Sequence, residues 1–180
     1  MINYTINTKD NIEFVKIISE LINNPTVQKM KNFRQHYNSS CFEHCLEVSY
    51  ISYIICKKMG LDYVSAARAG LLHDLFLYDW RHSRKKLQLE GWHAFIHPKI
   101  ALKNAEQLCT LNEKEKDIIV KHMWPVTFLD FPKYKETFII TLVDKYSALK
   151  SSKDYYSKAL TKNKIFRYAY VFLAICIFSI

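Results

Sequence analysis

His73 and Asp74 stand side by side after the small, apolar run Ala66-Ala67-Arg68-Ala69-Gly70-Leu71-Leu72. A carboxylate buried there without a counter-charge would take up a proton rather than stay ionised. A divalent cation removes that penalty, because imidazole and carboxylate are both good metal ligands. Groups of the same kind recur at helix-like intervals: His44 upstream, then His97, His122 and Asp144 downstream. Any one of these histidines alone reads as a hydrogen-bonded core or surface residue. Together they point to a metal site. Neutral imidazoles mixed with carboxylates suit iron, manganese, zinc or cobalt better than magnesium, which prefers an oxygen shell. Two such ions about 3.5–4 Å apart can acidify a shared water and clamp the oxygens of an in-line phosphoryl displacement.

Helices must carry these groups. Three glycines and four prolines in 180 residues leave room for long helices with short connections in a single domain, 1–180. Asp10-Asn11-Ile12-Glu13 predicts a helix start with Asp10 as cap and Glu13 reaching back, and Ile12, Val15, Ile18, Leu21 and Ile22 continue it as an apolar stripe. Pro25 suits a first helical turn. Ser40-Cys41-Phe42-Glu43 reads as a capping box, placing His44 in the first turn of a helix that stops at Gly60. Asp62 caps the next, where Ala66, Ala67, Ala69 and Gly70 permit close approach of a neighbouring backbone before His73-Asp74. Further helices are predicted from about His97-Pro98, from Thr110 or Asn112 through His122 to a limit at Pro125, and from about Pro132. The last is expected to be mostly buried, with Phe138, Ile139, Leu142 and Val143 around Asp144. No alternating strand is convincing, so the fold class is all-α, a single-domain helical bundle. Residues 78–92 break the periodicity and read as an excursion near the site.

Residues 168–180 are apolar apart from Ser179, yet shorter than the ~20 residues a membrane span needs. They predict a helix buried in the core or in a homodimer contact. The net charge of +9 comes from scattered lysines without an interleaved aromatic stripe. That pattern reads as a solvated basic surface with a small phosphorylated substrate, and with neither a specific nucleic acid nor a membrane as partner. Five cysteines without framework spacing, and a start with no basic or apolar leader, lead us to expect a reduced, cytoplasmic protein. Trp80, Trp92 and Trp124 read as apolar packing residues.

With Glu43-His44, Ala69-Gly70-Leu71-Leu72-His73-Asp74, His97-Pro98-Lys99-Ile100-Ala101, Val120-Lys121-His122-Met123 and Leu142-Val143-Asp144-Lys145 in that order, the chain resembles the HD-domain metal-dependent phosphohydrolase superfamily over about residues 30–150. The full set looks most like its binuclear branch, which includes dinucleoside-tetraphosphate hydrolases and GYP-type phosphodiesterases. The resemblance implies that His44, His73, Asp74 and Asp144 hold one metal, and that Asp74 bridges to a second held by His97 and His122. It implies a bridging hydroxide that attacks a phosphoester or phosphoanhydride of a small nucleotide-like substrate, with Asp74 as the catalytic residue that orients it. Residues 151–180 would then be a C-terminal helical extension.

The chain departs from that pattern in places. Leu75-Phe76-Leu77-Tyr78 follows the His-Asp pair, so the GYP signature is absent, and the lysine found there in some relatives has no counterpart. His93, one helical turn before His97, is an alternative ligand. Glu90 and His93 have the spacing of a di-iron carboxylate bundle, but no second copy exists and we reject that reading. His36, His93 and Lys145 are candidate substrate contacts, whereas Arg34, Arg81 and His82 read as solvated. Two other functions fit the same residues: a non-catalytic metal- or nucleotide-binding regulator, and a basic helical nucleic-acid binder with structural histidines.

Overall fold

A computed structural model of the chain describes residues 9–36, 39–80 and 92–160. These residues form α1 (Lys9–Ile22), α2 (Pro25–Gln28), β1 (Arg34–His36), β2 (Ser39–Ser40), α3 (Cys41–Lys58), α4 (Tyr63–Leu72), α5 (His93–Glu106), α6 (Glu113–Lys121) and α7 (Lys135–Leu160), with a 3-10 turn at Lys29–Asn32. The all-α expectation holds. Its one local departure is the short antiparallel hairpin β1–β2, which leads into α3. Arg81, His82, Glu90 and the apolar tail lie outside the described residues.

Several helix ends follow from side chains adjacent in sequence. Asn24 accepts from Thr26 N ahead of Pro25. Ser40 and Glu43 form the expected capping box on α3, and Gly60 takes the left-handed backbone that lets the chain turn after it. Asp62 accepts from Ser65 N at 3.0 Å to start α4. Asn112, not Thr110, caps α6, in a second capping box with Glu115.

Three expectations change. Asp10 does not cap α1, since Lys9 and Asp10 both already lie within the helix. Lys57 on α3 binds the Asp10 and Glu13 carboxylates, and the Tyr53 and Tyr63 hydroxyls also donate to Glu13, so a cation and two phenols on neighbouring elements outcompete the local cap. Helix α5 begins at His93, a turn earlier than expected, with Pro98 inside it. In α7, Leu142 faces outward at 67% exposure, while Thr137, Ile140, Thr141, Val143 and Ser147 are buried. The helical period puts Asp144 on that inward side, between Ile140 and Ser147.

The core runs between α3 and α4, with Val48, Ala66, Leu71 and Leu72 buried, and extends to Ile118 on α6 and Ile140 on α7. The two helices approach closely at Gly70, where a Cβ would lie 2.8 Å from Ser49 Cα. Ser49 Oγ also donates to Ala67 O at 2.6 Å. This contact is what sets His44, at the start of α3, against His73, at the end of α4.

Candidate metal centre

Five helices deliver the six candidate ligands. His44 lies in the first turn of α3, His73 caps the C-terminus of α4 and Asp74 follows it. His97 lies on α5, His122 caps the C-terminus of α6, and Asp144 lies on α7. The four histidines and Asp74 are buried, and the Asp144 side chain is 13% exposed. Asn104 on α5 donates to Leu75 O at 2.8 Å, and Cys41 Sγ donates to Asp74 O at 3.2 Å, so the chain just after α4 is held from two sides. Burial pushes the Cys41 thiol up, which keeps it a neutral donor.

The two oxygens of Asp74 face different groups. Oδ1 lies 3.1 Å from His97 Nε2 and 3.4 Å from His122 Nε2. Oδ2 lies 3.6 Å from His73 Nε2 and 3.9 Å from His44 Nε2. Asp144 Oδ1 closes the second group, 3.0 Å from His44 Nε2 and 3.7 Å from His73 Nε2. Two sets of three ligand atoms converge within 4.8 Å: His44, His73 and Asp144, and His73, Asp74 and His122. Asp74 thus stands between a His97/His122 side and a His44/His73/Asp144 side.

The imidazole tautomers explain why these contacts ask for a cation. Nδ1 of His73, His97 and His122 lies 2.8, 2.7 and 2.9 Å from the carbonyls of Gly70, His93 and Ile119. A carbonyl only accepts, so each Nδ1 carries the proton, and in the neutral ring Nε2 is a bare acceptor. His97 Nε2 and His122 Nε2 are 2.9 Å apart. Two lone pairs at that distance repel unless a positive charge lies against them. His73 Nε2 and Asp74 Oδ1 are buried without a hydrogen-bond partner, which costs free energy unless something else satisfies them. A cation fits the donor set on each count.

Charge is arranged to the same end. Burial would raise both carboxyls, yet positive charge on the surrounding imidazoles, His73 and His97 for Asp74 and His44 and His73 for Asp144, holds them well below the usual carboxylate range. The His73 imidazole is in turn held above its ordinary value despite burial. A cation would take over that positive charge and leave the rings neutral. Burial pushes the His122 imidazole down and keeps it neutral, the form that binds a metal.

The remaining expected residues divide. His93 stacks between Trp80, at 5.2 Å, and His97, at 4.5 Å, and its Nδ1 lies 3.1 Å from the Tyr78 hydroxyl. His97, not His93, brings its Nε2 to Asp74. Lys145 is half-buried, with Nζ donating to His122 O at 3.2 Å, and burial pushes its ammonium down. The backbone of His36 lies in β1, but its side chain lies outside the described residues. Arg34 is exposed as expected. Trp124 packs edge-on against Phe131 and Phe138, and Trp80 packs on His93. Trp92 breaks that expectation: it is 77% exposed in the extended residue before α5 and meets only the edge of Phe95 among the ring contacts of the described residues.

Sequence reading missed an outer layer. Gln35 on β1 donates from its side-chain amide to Asp74 Oδ2. Ser147 Oγ lies 3.4 Å from His44 Nδ1 and donates to Glu47 at 2.7 Å, and Lys150 holds Glu47 from the other side at 2.7 Å. Ser147 and Glu47 each lie three residues from a candidate ligand, Asp144 and His44, and helix periodicity could have marked them. Gln35 had no such signal.

Two comparisons with known proteins agree with this geometry. A family model described as HD domain matches residues 41–149. The chain is similar to ribonuclease Y of Clostridium kluyveri, 30% identical over 101 residues that make up 56% of this chain and 16% of that protein. Ribonuclease Y of Mycoplasma mycoides is 32% identical over 104 residues, 58% of this chain and 21% of that protein. Ribonuclease Y of Clostridium perfringens is 34% identical over 80 residues, 44% of this chain and 14% of that protein. The chain therefore spans about a fifth or less of the length of these relatives. No solved structure matches.

Proposed function

The chain belongs to the HD-domain family, and on that premise we propose that it is a metal-dependent phosphohydrolase with two divalent ions. His44, His73, Asp74 and Asp144 would hold one ion, and Asp74, His97 and His122 the other. Iron, manganese, zinc and cobalt suit this donor set. When bound, the ions acidify an attacking water and neutralise phosphate charge. The observation that carries the reading is the division of Asp74 between two imidazole groups, with His97 and His122 turning bare nitrogens toward each other. Asp74 would orient the water, and Lys145 would meet a substrate phosphate beside Asp144.

The substrate we favour is a phosphoester or phosphoanhydride of a small nucleotide. A second reading is an RNA phosphodiester, supported by the similarity to proteins named ribonuclease Y and by the net charge of +9. Among the described residues no helix is long and apolar enough to cross a membrane.

Metal analysis of the purified protein, followed by assay with manganese or iron, tests the proposal. The substrates are mononucleotides, dinucleoside polyphosphates, cyclic dinucleotides and a single-stranded RNA. Chelator-sensitive cleavage of a nucleotide supports the first reading, and cleavage of RNA alone selects the second. Nucleotide binding without hydrolysis under any metal would assign the chain to the regulatory class. A protein that takes up no transition metal and cleaves nothing would refute the proposal.

A further inference from the structure

The hairpin β1–β2 places one side chain into the centre from outside the helical bundle. Its register pairs Arg34 with Ser40 and His36 with Ser39, so Gln35 is the extra residue on its strand, at a bulge. Bulges re-aim a side chain where a regular ladder would send it elsewhere. Gln35 is 9% exposed, and its Nε2 donates to Asp74 Oδ2. Its Oε1 is equally buried and has no hydrogen-bond partner. A buried amide with one satisfied end and one orphaned end is a poor structural element, since the orphan has lost its hydration and gained no partner.

We propose that Gln35 is a positioning residue: its amide fixes the rotation of the Asp74 carboxylate so that each oxygen meets its own histidine group. The inference rests on the two-ion reading above. A carboxylate attached through a single bond is free to turn, and turning would break the division between the His97/His122 side and the His73/His44 side. A carboxylate oxygen carries two lone pairs, so Oδ2 can accept from Gln35 and still offer one to a cation. The main chain at Asp74 is already held by Cys41. Gln35 adds the restraint on the side chain.

The test uses Gln35→Met and Gln35→Leu, which keep roughly the bulk and remove both polar ends. Mn2+ alone is titrated into chelator-treated protein by calorimetry, and metal-free melting is recorded beside it. Losing an outer partner of a metal ligand characteristically costs 10–100-fold in metal affinity, and we expect a loss in that range. Metal-free melting should change little, because the substitution removes the buried orphan at Oε1 while it takes a donor from Asp74 Oδ2. With Mn2+ saturating, the fall in turnover should appear in kcat, with KM unchanged. Wild-type Mn2+ affinity in both variants would overturn the inference while leaving the two-ion reading intact. A metal-free melting loss that accounts for the weaker binding would also overturn it, since Gln35 would then be merely structural. Wild-type protein that binds no Mn2+ at all would overturn the two-ion reading and this inference with it.

Discussion

At the scale of single residues, the centre is organised by which nitrogen of each imidazole is free. Three histidines place Nδ1 on a backbone carbonyl three or four residues back, a contact available at the end of a helix or within it. The ring is thereby turned and its tautomer chosen by local chain geometry, before any metal arrives. His44 is the exception, because its Nδ1 is met by Ser147 and, through it, by Glu47. His97 and His122 reach only the Oδ1 side of Asp74. His97→Ala should therefore reduce the bound metal from two ions to one, measured by elemental analysis after dialysis. His73→Ala, which removes a ring near Asp74 and Asp144 alike, should abolish tight binding. Two ions retained by His97→Ala would remove the second-ion assignment.

At the scale of elements, the decisive contact is α3 against α4. Both helices present small residues there, and Gly70 lets the two backbones approach more closely than any side chain would permit. Gly70→Ala drives a Cβ to within 2.8 Å of Ser49 Cα, a backbone atom that cannot rotate aside. We expect a loss of about 1–3 kcal/mol by urea denaturation, with weaker metal binding as His44 and His73 separate. Unchanged stability would mean that the helices have room to part. A second junction ties the turn before α4 to α6 and α7: Glu136 accepts from Asp62 N at 2.9 Å and from Lys114 Nζ at 2.8 Å. Burial would raise the Glu136 and Asp62 carboxyls, but Lys114 and nearby donors, including Asp62 N for Glu136 and Ser65 for Asp62, hold both below their ordinary values. The folded chain thus binds fewer protons here than the unfolded chain. Its stabilisation is complete above the unfolded carboxyl range, about pH 4–4.5, and is lost as pH falls through the folded values. Lys114→Met should cost about 1–2 kcal/mol at neutral pH, and should flatten the fall of melting temperature with acid. A variant as acid-sensitive as the wild type would show that the junction contributes nothing.

At the scale of the whole molecule, the candidate metal ligands come from five separate helices, so ion binding at the proposed centre would be linked to folding. An ion that binds only the folded chain stabilises it by about 2.7 kcal/mol at a free concentration 100 times its dissociation constant. Mn2+ should therefore raise the melting temperature in a concentration-dependent way, and chelator should reverse it. A melting temperature indifferent to both would contradict a centre built across the bundle. The match to the HD-domain family over 41–149 covers α3 to α6 and the first half of α7, the elements that carry all six candidate ligands. The hairpin with Gln35 precedes that stretch.

Much of this protein could be read from residue order alone because the relevant physics is local. A capping box needs four consecutive residues, and Ser40–Glu43 and Asn112–Glu115 form as their side chains dictate. Buried histidines and aspartates in an apolar context are costly enough to ask for a cation, and the six candidate side chains lie together in the fold, His97 joining the other five through Asp74. Where distant groups compete, local reading fails. Glu13 turns away from its own helix start toward Lys57, because a cation and two phenols are stronger partners than one backbone N–H. Whether His93 or His97 faces Asp74 depends on the rotation of α5, which seats His93 with its ring stacked on Trp80 and its Nδ1 at the Tyr78 hydroxyl. Gln35 lies 39 residues from Asp74 in the chain, on a strand of three residues with no periodicity to betray it. Only the folded hairpin brings it there.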